Sequence, residues 1–292
     1  RLGQRVAPVV RTGGAAMTRL EQLLSDLVAI DSINPDLVPG AAGEAAVAAF
    51  IADWLRAAGL EVHLAEVRPG RPNVVGIAHG AGGGRSLLLN GHIDTVGVAG
   101  MSQPFRPRVE GGKLYGRGAY DMKGGMAACL IAAAEAARLN LRGDVIVTAV
   151  MDEEYAGLGT LAVAEQVHAD GAIVAEPTEL QLVVAHKGFV WLEVETQGVA
   201  AHGSRPHLGV DAIAKMGGVL TGLERLAAEL AQRPPHPLLG PPSVHASTIQ
   251  GGGEWSTYPD RCTLAIERRT LPGETGDTAE AELRVIVGGL AA

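Results

Sequence analysis

Length, composition and charge exclude several classes of protein. The chain has 292 residues, of which 47% are hydrophobic, so it can form one large or two ordinary domains with a substantial core. Its formal net charge is -8, and without a long basic run this argues against a nucleic-acid-binding surface. No segment approaches the roughly 20 uncharged apolar residues that a membrane-spanning helix needs. We therefore expect small-molecule partners, with no binding of nucleic acid or membrane.

The cysteines and the first residues bear on location. Cys129 and Cys262 are the only cysteines, which excludes a disulfide framework and a CxxC metal site and fits a reducing cytoplasm. Residues 1–16 contain three arginines and short apolar pieces broken by Pro8, unlike the continuous apolar core of a signal peptide. We expect a disordered leader over residues 1–16 and a folded chain from Met17.

Apolar periodicity and Gly/Pro punctuation predict alternating helices and strands over the first part of the chain. Helices are expected at 20–30, 43–58, 122–139 and 156–167, and strands at 61–67, 73–78, 86–90, 145–150 and 171–175. Such alternation is typical of an α/β fold, here a mixed, mostly parallel sheet with flanking helices, in which ligands bind at the strand ends.

The pattern changes near residue 181. Strands are expected at 182–196, 244–250 and 262–269, with helices at 210–231 and from residue 278. Together with a proline-rich link at 234–237, these elements indicate a smaller α+β domain. We therefore predict two domains, over residues 17–181 and 182–292.

Two potential metal-site residues stand where the third predicted strand ends. His92 and Asp94 are two residues apart, so their side chains can point the same way. A carboxylate often orients a metal-binding histidine through its second ring nitrogen, and we assign that role to Asp94. On its own, an HxD triplet is more often an incidental polar strand end.

Carboxylates recur at the ends of other elements. Asp121 lies in a glycine-rich segment that opens a helix, where a helix N-cap is the alternative role and a phosphate loop is disfavoured by the lack of GxxxxGK[ST]. Glu153 and Glu154 follow the strand at 145–150. Adjacent carboxylates repel each other unless a cation or separate roles justify them, although such a pair on a surface loop is usually just solvated. Glu176 ends the strand at 171–175.

One imidazole among several carboxylates is a donor set that suits two divalent ions sharing a carboxylate, with zinc or cobalt as the expected metal. The four segments that carry it are GHIDTV (91–96), GRGAYDMKGG (116–125), MDEEYAG (151–157) and AEPTE (175–179). In order and spacing they resemble the M20 family of metallopeptidases, the group of acetylornithine deacetylase, succinyl-diaminopimelate desuccinylase, aminoacylase and glutamate carboxypeptidase. The resemblance covers about residues 17–292.

The resemblance implies metal-dependent hydrolysis of the amide bond of N-acyl amino acids or small peptides by metal-activated water. His92 and Glu176 would bind one metal and Glu154 the other, Asp121 would bridge them, and Glu153 would be the general base. A cis peptide bond is expected directly after Asp121. A dipeptidase or carboxypeptidase of the same family is the alternative to the deacetylase or desuccinylase type.

By the same resemblance, residues 17–181 would be the N-terminal part of a catalytic domain, and residues 182–292 a lid that forms a homodimer. The segment His186-Lys187-Gly188 would begin the lid. His202 would stabilise the tetrahedral oxyanion, with a surface-loop histidine as the alternative. Arg269 would bind the substrate carboxylate, or Arg268 instead, because adjacent strand residues face opposite ways.

The sequence departs from the family pattern at its end. Family members place a further metal-binding histidine after the lid, whereas this sequence ends at Ala292. We therefore interpret the chain as C-terminally truncated and expect the second metal to be weakly held or absent. A non-catalytic dimerising fragment is the alternative from another functional class.

Overall fold

The computed structural model describes residues 10–11 and 17–290. The chain divides into two compact units, Arg1–Gln181 and Leu182–Ala292. The predicted leader lies outside the described residues except at Val10–Arg11. Across the described part, no helix combines the length and the apolar character that crossing a membrane requires.

The first unit alternates helices and strands. Its helices are α1 (Arg19–Val28), α2 (Ala45–Ala57), α3 (Lys123–Ala136) and α4 (Leu158–Gln166). Its strands are β1 (Val10–Arg11), β2 (Glu61–Arg68), β3 (Arg71–Ala78), β4 (Leu87–His92), β5 (Arg108–Glu110), β6 (Lys113–Tyr115), β7 (Val145–Val150) and β8 (Gly171–Val174).

The main sheet has the strand order β2-β3-β7-β4-β8. The pairs β2/β3 and β3/β7 are antiparallel, whereas β7/β4 and β4/β8 are parallel. The sheet is therefore mixed, as predicted, with equal numbers of parallel and antiparallel pairings. A second, small sheet, β1-β5-β6, was not predicted, because strands of two or three residues are too short to show a period.

Local sequence explains the start of α1 and the burial of β7. Thr18 and Glu21 form a capping box at α1, each side chain accepting a backbone N–H of the other. Every residue of β7 is buried, as expected for a β-branched strand in the middle of a covered sheet. Apolar residues of α1, α2 and α3 pack with those of the sheet in one core that includes Leu27, Ile51 and Leu130.

The second unit is a three-stranded antiparallel sheet with two helices. Its elements are β9 (Gly188–Gln197), α5 (Ala212–Gln232), β10 (Ser243–Gly251), β11 (Arg261–Thr270) and α6 (Gly276–Leu290), and its strand order is β10-β11-β9. The prediction that β9 begins at residue 182 was wrong. Gly188 pairs with Thr270, the last residue of β11, so residues 182–187 have no strand to pair with there.

The parallel part of the main sheet brings the ends of three strands to one edge. His92 is the last residue of β4, Glu153 follows β7, and Glu176 follows β8. Because parallel strands end at the same edge of a sheet, their polar side chains can converge there. The loop before α3 adds Asp121 to this edge, 3.0 Å from His92.

Candidate metal centre

Carboxylate oxygens surround the Nε2 atom of His92. It lies 3.0 Å from Asp121 Oδ1, 3.7 Å from Glu153 Oε2 and 3.8 Å from Glu176 Oε1. Two sets of possible metal ligands overlap at this imidazole, with all donor atoms of a set within 4.8 Å of one another: His92, Glu153 and Glu176, and His92, Asp121 and Glu154. The five residues predicted from the sequence are thus brought together.

The second ring nitrogen of His92 determines its tautomer. His92 is 1% exposed, and its Nδ1 atom lies 3.0 Å from the backbone carbonyl oxygen of Asp94. A carbonyl can only accept a hydrogen bond, so Nδ1 carries the proton. In the neutral imidazole, the lone pair of Nε2 then points to the carboxylates, which is the tautomer a metal ligand requires.

The Asp94 side chain, predicted to orient His92, makes its shorter hydrogen bonds to other groups. Its Oδ1 atom is 3.4 Å from His92 Nδ1, longer than the bond to the carbonyl. The carboxylate instead accepts the backbone N–H groups of Glu153 and Glu154, both at 3.1 Å, and the amide of Asn34 at 2.7 Å. Burial opposes the ionised form, but the neighbouring His92 imidazole, the Asn34 amide and the Glu154 N–H lower the pKa of Asp94. Asp94 thus fixes the turn that carries the two glutamates.

Charge crowding at the site favours a cation. Burial and the neighbouring carboxylates raise the pKa of Glu154 to about 7, and the same causes raise that of Glu176 to about 7. Burial alone would lower the pKa of His92, but Asp121, Asp94 and Glu153 raise it to about 11. Divalent ions would stabilise the ionised carboxylates, and they prefer this mixture of oxygen and imidazole donors. The donor set therefore fits divalent metal ions.

The segment after Asp121 has two features of note. The Asp121–Met122 peptide bond is cis, as expected from the family resemblance. Met122, not Asp121, occupies the N-cap position of α3 and makes no side-chain capping bond. Asp121 is therefore not the N-cap of α3, which was the alternative role. The carboxylate of Asp121 faces His92 instead.

Sequence reasoning missed Lys123 and Asn34. Lys123 is fully buried, and its Nζ atom donates to the carbonyl oxygens of Leu27 and Ile30 near the end of α1. Asn34 donates to Asp94. A lysine next to a glycine pair, and an asparagine before Pro35, read from sequence as surface residues of loops, so only tertiary contacts disclose these roles.

In the second unit, His202 has a defined tautomer. The backbone N–H of Ser204 donates to His202 Nδ1 at 3.2 Å, and the Ser204 hydroxyl lies 2.8 Å from the same atom. Because Nδ1 accepts a hydrogen bond, the neutral ring carries its proton on Nε2. An exposed N–H of this kind is the donor that oxyanion stabilisation requires.

The two candidate arginines of β11 have different surroundings. Arg268 is 1% exposed, and its guanidinium contacts Glu274 and Glu282, each at 2.9 Å. The side chain of Arg269 is 42% exposed and lies 3.5 Å from Glu267, with its guanidinium 5.7 Å from the centre of the Phe189 ring. Of the two, only Arg269 has a guanidinium open to a ligand.

Comparison with known proteins identifies the family of the chain. The family model "Peptidase family M20/M25/M40" matches residues 88–282. A curated relative in Bacillus subtilis, N-formyl-4-amino-5-aminomethyl-2-methylpyrimidine deformylase, is 32% identical over 273 residues, covering 86% of this chain and 64% of that protein. The acetylornithine deacetylase of Myxococcus xanthus is 34% identical over 278 residues, covering 91% of this chain and 71% of that protein. The chain spans about two thirds of the length of these relatives.

The fold has close counterparts among solved structures. An M20 family metallo-carboxypeptidase from Sulfolobus solfataricus superposes with a TM-score of 0.72 at 18% identity, covering 94% of this chain and 76% of that chain. At this identity the likeness concerns the fold, whereas the family match and the curated relatives concern the sequence itself. The chain belongs to the peptidase family M20/M25/M40.

Proposed function

We propose that this chain belongs to a metal-dependent hydrolase that cleaves the amide bond of N-acyl amino acids or small peptides. The observation that carries the proposal is the carboxylate-rich edge around His92, where Glu153 Oε2 lies 3.7 Å from Nε2. The curated relatives named above are a deformylase and a deacetylase. Their names favour removal of a small acyl group over a dipeptidase or carboxypeptidase activity.

Two divalent ions, zinc or cobalt, would be held by His92, Asp121, Glu154 and Glu176. When bound, they would supply Lewis-acid activation of a water molecule and of the amide carbonyl. The ring proton of His92 stays on Nδ1, held by the Asp94 carbonyl oxygen at 3.0 Å, which leaves Nε2 free to act as a ligand. Asp121 is the residue we propose as the shared carboxylate.

Glu153 is the proposed general base. Its carboxylate takes a proton from the attacking water and returns it to the leaving amine nitrogen. The Asp94 carboxylate holds the backbone N–H of Glu153 at 3.1 Å and so fixes the start of that side chain. Glu153 is 46% exposed, which leaves its carboxylate accessible to a substrate.

The second unit would supply the substrate contacts. We propose that Arg269 binds the substrate carboxylate and that His202 donates from Nε2 to the oxyanion, on a lid through which the protein forms a homodimer. A cytoplasmic location fits the two free, buried cysteines. Sedimentation of the purified chain tests the dimer, since a monomer at micromolar concentration would contradict it.

The test of the activity is a hydrolysis assay on matched substrates. The zinc- or cobalt-loaded chain is incubated with N-formyl, N-acetyl and N-succinyl amino acids and with dipeptides, and the release of free amine is measured. Faster cleavage of the acyl amino acids supports the proposal, while preferred cleavage of dipeptides favours the dipeptidase alternative. No cleavage of any amide, with metal bound, favours the non-catalytic dimerising fragment.

A further inference from the structure

A buried ionic network lies behind the turn that carries Glu153 and Glu154. It consists of Arg71, Glu44, Asp152 and Asn34, hereafter the Arg71 network. Glu44, Asp152 and Asn34 are fully buried, and Arg71 is 7% exposed. Buried charges are retained only when they are paired and hydrogen-bonded, so the contacts of each member show what holds it.

Arg71 joins the members through its guanidinium. Its Nε and Nη2 atoms donate to the two carboxylate oxygens of Glu44 at 2.8 and 2.6 Å. Nη2 also donates to Asp152 Oδ1 at 3.2 Å, and Nη1 donates to Asp36 Oδ2 at 2.5 Å. One planar group thus binds three carboxylates, and the pair with Glu44 is bidentate, a geometry that an ammonium cannot reproduce.

Asp152 depends on these contacts for its conformation. Its backbone lies in the left-handed region, with φ +65°, which residues other than glycine adopt rarely. Its N–H donates to Glu44 Oε1 at 3.3 Å, and its Oδ1 atom accepts from Arg71 and, at 3.1 Å, from Asn34. The residue directly before Glu153 is therefore held from its backbone and from its side chain.

Asn34 connects the network to the metal centre. Its side-chain amide donates both to Asp152 Oδ1 and to Asp94 Oδ2. Asp94 in turn accepts the N–H groups of Glu153 and Glu154. A continuous chain of hydrogen bonds thus runs from the Arg71 guanidinium to the carboxylate that fixes the turn.

We propose that Arg71 is a positioning residue for the metal centre: through Glu44, Asp152 and Asn34 it fixes the turn that presents Glu153 and Glu154. The inference deepens the proposed function, since Glu153 is its general base and Glu154 one of its metal ligands. Loss of the guanidinium leaves Glu44 and Asp152 buried without their counterion, and the turn is the part free to relax, because it leaves the sheet where β7 ends.

The chain contains a matched control for this proposal. Arg68 also binds Asp36, with Nη1 3.3 Å from Oδ2, but its side chain is 47% exposed, and no contact with Glu44 or Asp152 is described for it. Arg68→Met removes an arginine from the same carboxylate without entering the network. Arg71→Met removes the buried guanidinium. Arg71→Lys keeps the positive charge but removes the planar group that binds Glu44 through two nitrogens.

The experiment compares these three variants with the wild-type chain in zinc affinity, by chelator competition, and in amide exchange, by mass spectrometry. We expect Arg71→Lys to fold, to bind zinc at least tenfold more weakly and to exchange the amides of residues 151–157 at least tenfold faster. Exchange within α2 and β7 should stay at the wild-type rate. Arg71→Met should show the same changes or larger ones, and Arg68→Met none.

Two results would overturn the proposal. Wild-type zinc affinity and wild-type amide exchange of residues 151–157 in Arg71→Lys would show that the guanidinium of Arg71 does not hold the turn. Equal acceleration across α2, β7 and the turn would show a general stabilising role instead. Both readouts work without turnover, so they remain decisive if the amidase assay fails; where turnover is measurable, kcat should fall while KM changes less than twofold.

Discussion

The Nε2 atom of His92 lies 3.0 Å from the Oδ1 atom of Asp121, although the two residues belong to different segments of the chain. His92 ends a strand of the main sheet, and Asp121 lies in the loop that opens α3. The backbone carbonyl of Asp94 holds the proton of His92 on the opposite ring nitrogen. The contact therefore joins the ring nitrogen that would bind a metal to a carboxylate, and it marks the centre of the proposed metal site.

Glu153→Gln should abolish most turnover and spare metal binding. The amide keeps the size of the side chain and cannot take a proton from water, so we expect kcat to fall by roughly 10²–10⁴-fold. Zinc content should stay at the wild-type value, measured by elemental analysis on the same samples. Glu165→Gln, at an exposed position of α4, is the control and should keep full activity. Activity retained in Glu153→Gln would remove Glu153 from the role of base.

Asp94→Asn should weaken metal binding without removing a proposed ligand. The two carboxylate oxygens of Asp94 accept three N–H groups, and an asparagine turns one acceptor into a donor that faces an N–H. Loss of such supporting contacts costs about 10–100-fold in metal affinity, which chelator competition measures. Asp53→Asn, at an exposed aspartate of α2, should bind zinc as the wild type does. Equal affinity in both variants would contradict the supporting role of Asp94.

Arg268→Met should lower stability, whereas Arg269→Met should weaken substrate binding. Removing Arg268 leaves Glu274 and Glu282 with Arg233 as their remaining arginine partner, and we expect a loss of about 2 kcal/mol in the free energy of unfolding, measured by denaturant titration. Removing the exposed Arg269 should leave stability within about 0.5 kcal/mol of wild type and raise KM for substrates with a free carboxylate. A rise in KM confined to Arg268→Met in folded protein would reverse the assignment.

Lys123 should make the stability of the metal-free chain depend on pH. Burial lowers the pKa of Lys123 to about 7, against roughly 10.4 for lysine in an unfolded chain. Between these values the unfolded chain binds a proton that the folded chain does not, so stability should rise with pH from about 7 to about 10. Thermal unfolding followed by circular dichroism should show this rise relative to Lys123→Met, which cannot titrate. Parallel pH curves for the two proteins would show that Lys123 stays charged when folded.

Much of the site could be predicted because its residues stand in local motifs. His92 ends one apolar strand and Glu153 and Glu176 follow two others, and the ends of parallel strands meet at one edge of a sheet. The Arg71 network could not be predicted in this way. Arg71 lies 27 residues from Glu44 and 81 from Asp152, and no periodicity in the sequence indicates such a contact.

The fold shows the same limit at its shortest and most exposed elements. The strands of 4 to 10 residues in the main and second sheets were expected because period-two or wholly apolar runs reveal them. The hairpin of β5 and β6 has three residues in each strand, too few for a pattern. Leu182 and Val184 are apolar and were expected to extend β9, yet both are exposed and lie before the strand. The length of a strand depends on its partner strand as well as on propensity.

The zinc content of the chain after exhaustive dialysis tests the metal centre most directly. Elemental analysis of the wild type and of His92→Ala, with folding of both confirmed by circular dichroism, compares the chain with and without the imidazole shared by the two possible ligand sets. We expect at least one zinc per wild-type chain and less than about a tenth of that in His92→Ala, since a lost ligand removes most of the affinity. A folded wild-type chain without zinc, or a variant that retains the wild-type amount, would contradict a metal centre at this edge of the sheet.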